Sequence, residues 1–103
     1  MTIKWWEEAK KDLDLIYEYL AELNEKYAIK VYNTILDEVD NLLIYGESLA
    51  IEPLIKVRKY VFRSSVVING KYKIIYFVDG TRIIITHIWD CRKNPNTIRQ
   101  YPD

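Results

Sequence analysis

The sequence predicts an α+β fold in which a helical hairpin packs on a small antiparallel sheet. Three observations carry that prediction. Between positions 6 and 43 apolar residues recur every three or four residues, the spacing of one face of a helix. Beyond position 58 the period drops to two, and β-branched and aromatic residues dominate. Two glycine dipeptides, Asn69-Gly70 and Asp79-Gly80, punctuate this second half as hairpin turns would.

Residues 2–5 (TIKW) read as a short opening strand. The first helical stripe runs Trp6, Ala9, Leu13, Ile16, Tyr17, Leu20, with Glu7 and Glu8 in the first turn, where the helix macrodipole favours anions. Asn24 suits both the end of that helix and the cap of the next. The stripe resumes at Ala28, Val31, Tyr32, Ile35, Val39, Leu42 and Leu43 and stops at Gly46. With almost no linker, the two helices form an antiparallel hairpin.

Residues 46–56, with Pro53, read as a loop. The stretches KYVFRSSVVI (59–68), KYKIIYFV (71–78) and RIIITHIW (82–89) follow as three strands of a meander. Strict alternation puts Tyr72, Ile74, Tyr76 and Val78 on one side of the middle strand, and Lys73, Ile75 and Phe77 on the other. In the last strand it sets Ile83, Ile85, His87 and Trp89 against Ile84, Thr86 and Ile88. Pro95 closes the meander, and a polar tail with room for one helical turn follows. Both sheet faces are apolar, yet the hairpin covers only one. The second face is therefore expected to await a protein partner, unless a second copy or the 46–56 loop closes it.

The 103 residues suit a single domain over 1–103, half of them apolar and 29% charged, with no low-complexity segment. No apolar run approaches a membrane span, and the first residues lack a signal-like stretch, so a cytoplasmic protein without membrane partners is expected. One cysteine excludes an internal disulfide. A lone histidine and a lone cysteine cannot close a metal site, so neither metal nor cofactor is expected. The zero net charge hides an asymmetry. Residues 1–52 hold 12 acids against five bases, a balance of −7, whereas residues 53–103 hold ten bases against three acids, a balance of +7. An anionic partner for the second half follows from this, or simply a solvated acidic helical half.

The order of these elements resembles a known family. An acidic helix of form A-x-x-D-L-x-x-I-x-x-Y-L (Ala9, Asp12, Leu13, Ile16, Tyr19, Leu20) precedes a second helix, then YKIIYFVDG (72–80) and IWDCRKNP (88–95). Together they resemble the RelE/ParE superfamily of type II toxin–antitoxin toxins, also called plasmid-stabilisation proteins, over essentially the whole chain. The resemblance implies a βααβββ fold and a cognate antitoxin that neutralises the toxin, with operator DNA met only through that antitoxin. RelE-like members cleave mRNA on the ribosome; ParE-like members inhibit DNA gyrase without nuclease residues. The long second helix and neutral net charge make the chain more similar to the ParE-like side, and a degenerate, non-toxic binding module stands as a third reading.

Cleaving RNA demands a base for the 2′-OH, charge on the phosphorane and an acid for the leaving oxygen. Under the RelE-like reading the resemblance places Arg63, Lys73 and Arg92 as a phosphate-holding cluster, with His87 or Tyr101 moving protons. Under the ParE-like reading Lys59, Arg63, Lys73, Trp89, Arg92 and Lys93 are antitoxin or target contacts. Taken on its own residues, His87 fits a packed position on the Ile83 side better than a general base. Trp89 reads as a strand-end anchor.

Overall fold

The computed structural model describes residues 1–101. The chain runs β1 (Thr2–Trp5), α1 (Glu7–Leu23), α2 (Glu25–Tyr45), β2 (Phe62–Val67), β3 (Tyr72–Asp79) and β4 (Arg82–Asp90), with short 3-10 turns at Gly46–Ser48 and Pro95–Thr97. The sheet order is β1-β4-β3-β2: the three later strands form the expected antiparallel meander, and β1 lies parallel beside β4. This is the βααβββ arrangement expected from the sequence.

Asn24 separates the helices as its chemistry requires. Its extended backbone (φ −164°) donates to the Leu20 carbonyl at 2.8 Å, and its side chain accepts the Tyr27 amide at 3.1 Å. One residue thus ends α1 and caps α2. The helical stripes bury Ala9, Leu13 and Leu20 of α1 and Ala28, Val31, Ile35, Val39 and Leu42 of α2 against Tyr72, Ile74, Tyr76, Ile83, Ile85 and Ile88 of the sheet. Leu43, placed on the stripe by spacing alone, falls at its margin and is exposed.

Both tight turns form, one with shifted bounds. Asn69 and Gly70 have φ of +52° and +82°, and the Lys71 amide closes the turn on the Ile68 carbonyl at 3.0 Å. These are the positive angles of a type I′ turn. Ile68 itself sits at φ +53°, an uncommon angle for a β-branched side chain, held by its packing on the main core. At the second turn Asp79 pairs with Arg82, so the central residues are Gly80 and Thr81 rather than Asp79 and Gly80. Only Gly80 has positive φ, the pattern of a type II′ turn.

The first meander strand is shorter than its composition suggests. Pairing begins at Phe62, because residues 53–61 leave the sheet plane and wrap its second face. There Leu54, Ile55, Val57 and Tyr60, together with Ile98 and Tyr101 of the tail, cover Phe62, Ile75, Phe77 and Ile84. The expectation of an open apolar face is therefore corrected: the chain covers that face itself. Trp6 belongs to this second cluster too, making edge contacts with Phe77 and Tyr101 rather than extending the α1 stripe.

A β-bulge changes which residues share a face. Tyr76 pairs with Ile85, whereas Ile75 pairs with His87, leaving Thr86 as the extra residue on β4. One inserted residue inverts every side chain beyond it. Ile88 then joins the helix-facing core, while Trp89 packs with the second cluster. The grouping of His87 and Trp89 with Ile83 and Ile85, which strict alternation dictates, is thereby overturned.

Candidate functional site

The bulge is the organising feature of the densest polar network. Arg99, from the tail, reaches back to Asp12 on α1 with both terminal nitrogens, at 2.9 and 3.0 Å, and donates to the Thr86 carbonyl at 2.9 Å. The second Asp12 oxygen also accepts the Ile88 amide at 3.1 Å. A bulge frees backbone groups from the strand ladder, and these two charged side chains satisfy them. The Asp12 hydrogen bond, and lesser contributions from Tyr101, push the Arg99 guanidinium further above its ordinary range.

His87 lies beneath that network, almost fully buried. Its Nε2 is 3.1 Å from the Arg99 carbonyl, which only accepts, so Nε2 carries the proton. Its Nδ1 is 2.8 Å from Thr86 Oγ1, which also lies 3.2 Å from the Ile75 carbonyl. Burial, then the charge of Arg99, lowers its pKa from 6.5 to about 4. The ring is neutral at neutral pH and plays the packed role read from its own residues, on the face opposite to the one expected.

This neutral burial has a measurable consequence. Above pH 6.5 neither the folded nor the unfolded chain holds the His87 proton. As pH falls the unfolded chain takes it up first, so stability present above 6.5 is lost progressively down to about 4, by about 3 kcal/mol. His87→Gln keeps a donor for the Arg99 carbonyl but does not titrate. Urea unfolding of this variant between pH 7 and 5 should give a flatter stability profile than that of the parent.

Each cation of the expected phosphate cluster has its own structural partner. Lys73 donates to Glu52 at 2.6 Å; the Glu52 side chain is completely buried and also accepts the Leu54 amide at 2.8 Å. Burial works to raise the Glu52 pKa, yet hydrogen bonds from Lys73, the Leu54 amide and Ser64 hold it below the usual value. Arg63 donates to the Leu49 carbonyl at 2.5 Å. Arg92 makes an ion pair with Asp90 at 2.9 Å, donates to the Tyr72 hydroxyl at 3.0 Å and lies over the Tyr72 ring. The Arg92 hydrogen bonds overcome the effect of burial and hold the Asp90 carboxyl below its usual range.

Arg63 and Lys73 do not share a face. Arg63 pairs across the sheet with Tyr76, whose side chain faces the helices, while Lys73 alternates with Ile75 and Phe77 toward the other face. Arg92 sits beyond the end of β4 on the Tyr72 side. Two members of the expected phosphate cluster, Arg63 and Lys73, thus take opposite faces of the sheet. Tyr101, the other proton-transfer candidate, packs between Trp6 and His87 at centroid distances of 4.6 and 5.5 Å. Burial raises its pKa. Lys59 is exposed, its ammonium 5.6 Å from the Tyr60 ring, which itself stacks on Phe77.

Where α1 meets the end of β4 a groove of about 530 Å³ opens, lined by Asp12, Leu15, Tyr19, Tyr72, Trp89 and Arg99 among others. Exposed Leu15, Tyr19 and Leu23 continue an apolar stripe along α1, and Lys93 stands at the groove edge. Of the residues named from sequence, Trp89 and Lys93 meet here. Local pattern did not reveal the Asp12–Arg99 pair, whose members are 87 positions apart. Asp12 was visible only as part of the helix motif, and the buried Glu52 only as one acid in a loop.

Comparison with known proteins agrees with this architecture. No curated protein matches the chain. A solved structure described as "Chromosomal ParDE TA system from P. aeruginosa" is similar at a TM-score of 0.73 with 26% sequence identity, over 87% of this chain and 95% of that one. Residues 3–95 match the family described as the ParE toxin of type II toxin-antitoxin system, parDE. The chain belongs to that ParE toxin family.

Proposed function

We propose that this protein is a non-catalytic toxin that arrests growth in the cytoplasm by binding and inhibiting DNA gyrase, and that a cognate antitoxin silences it. Operator DNA is met only through the antitoxin. The observation that carries the choice of binding over cleavage is the engagement of every candidate nuclease group. Lys73 is tied to buried Glu52, Arg63 to a loop carbonyl, and Arg92 to Asp90 and Tyr72. His87 is buried and neutral, with both nitrogens in hydrogen-bonding contact. A general base must reach its proton, and a phosphate clamp must present free donors at one place. The placements of Arg63, Lys73, Arg92 and His87 support binding over cleavage.

Family membership supports the antitoxin partner, and the well-formed helical hairpin accords with the ParE-like branch. The exposed apolar stripe of α1 beside the groove supports docking of a protein rather than turnover of a small substrate. Expression of the protein alone should arrest growth without codon-phased cuts in cellular mRNA mapped by primer extension. Ribosome-dependent cuts that vanish in Arg92→Ala would establish the mRNA-interferase reading instead. Folded, soluble protein without toxicity would leave only a binding module.

A further inference from the structure

We infer that the tail and the 53–60 loop form one detachable cover over the second apolar face of the sheet, held shut by the Asp12–Arg99 pair. Among the described residues the tail makes no strand pairing with the sheet, and side chains hold it in place. Arg99 binds α1 through Asp12 and the bulge through the Thr86 carbonyl, and its own carbonyl receives the His87 Nε2 proton. Gln100 joins the tail to the loop: its side-chain oxygen accepts the Lys56 amide at 2.7 Å, and its side-chain nitrogen donates to the Leu54 carbonyl at 2.6 Å. A side-chain amide thereby supplies the paired bonds that a neighbouring strand would give.

The loop covers Phe77 through the Tyr60 stack at 4.2 Å, and the tail adds Ile98 and Tyr101 to the same cluster. Loop and tail are therefore coupled to each other, and the Asp12–Arg99 pair ties them to the helical layer. Residues bonded mainly through side chains open at lower cost than those in ladders and packed helices. Opening this cover exposes a contiguous apolar surface of Ile75, Phe77 and Ile84 while the α1–α2 core stays closed. The free protein then has two states, and the open state presents a face that the closed one hides. This holds whichever target the toxin engages.

Hydrogen exchange of the full chain read by mass spectrometry tests the inference. Arg99→Ala should speed exchange by about tenfold or more in the 54–60 amides as well as in the tail, leaving the α2 core within about twofold of the parent. Binding of an apolar dye should rise in parallel. Asp12→Asn keeps an oxygen for the Ile88 amide but removes the charge, and should reproduce the effect if Arg99→Ala folds poorly. Gln100→Ala should loosen the 54–60 amides without speeding those around the bulge. Acceleration confined to the tail, or equal acceleration throughout α2, would overturn the inference in either latch variant.

Discussion

Lys73→Ala should destabilise the folded chain by about 3 kcal/mol or more, because it leaves the Glu52 carboxylate buried without its counter-charge. The Glu52 side chain has no solvent exposure and that of Lys73 only 19%, so the carboxylate loses its counter-charge in a poorly solvated site. The remaining donors, the Leu54 amide and the Ser64 hydroxyl, do not compensate a full charge. Replacing both residues by apolar ones, Glu52→Leu with Lys73→Met, should recover most of the loss, since neither charge then needs burying. Chemical denaturation of the two variants measures both effects. A Lys73→Ala protein as stable as the parent would show that the pair is not what fixes the 46–56 loop to β3. The same pair governs how toxicity data are to be read. Loss of toxicity in Lys73→Ala reports a lost fold unless the double variant is also inactive.

Phe77→Ala should cost about 3–5 kcal/mol, the range for emptying a packed aromatic site. Phe77 is 3% exposed and lies at the centre of the second cluster, stacked on Tyr60 at 4.2 Å and in contact with Phe62 at 5.1 Å and Trp6 at 5.9 Å. On an open sheet face the same truncation would remove little buried area and cost far less. Thermal or urea unfolding of this single variant therefore decides whether loop and tail cover the face in solution. A loss under about 1 kcal/mol would mean that the face stands open.

The elements that were legible in the sequence are those governed by local chemistry. Period 3.6 gave both helices, Asn24 gave the break between them, and Asn69-Gly70 gave a turn with the positive φ values such a turn needs. Three features were not legible, each for a nonlocal reason. The bulge at Thr86 inverts His87 and Trp89, and its backbone groups are satisfied by Asp12 and Arg99 from distant parts of the chain. The run 53–61 carries strand-like residues such as Val57 and Tyr60, but the apolar face beside it offers these side chains more burial than an extension of β2 would. The cations Arg63, Lys73 and Arg92 resemble a cluster on paper because they share a family pattern. Alternation along the strands and the capture of Lys73 by Glu52 separate Lys73 from Arg63.

The C-terminal stretch from Thr86 to Pro95 is shaped by the same nonlocal contacts. Its histidine is structural, its tryptophan edges the groove, and its arginine is fastened to Asp90 and Tyr72. What remains exposed nearby is a surface suited to a protein: the apolar stripe of α1, the groove and Lys93. A toxin that works through such a surface needs no titrating group. Its action should vary little with pH as long as the fold persists.

The most direct measurement is a supercoiling assay with purified DNA gyrase, relaxed plasmid and the isolated, folded protein. Dose-dependent loss of supercoiling is expected at protein levels comparable to the gyrase present, with restoration when the cognate antitoxin is added. Undiminished supercoiling at large excess of a demonstrably toxic protein, together with codon-phased cleavage of ribosome-bound mRNA, would contradict it.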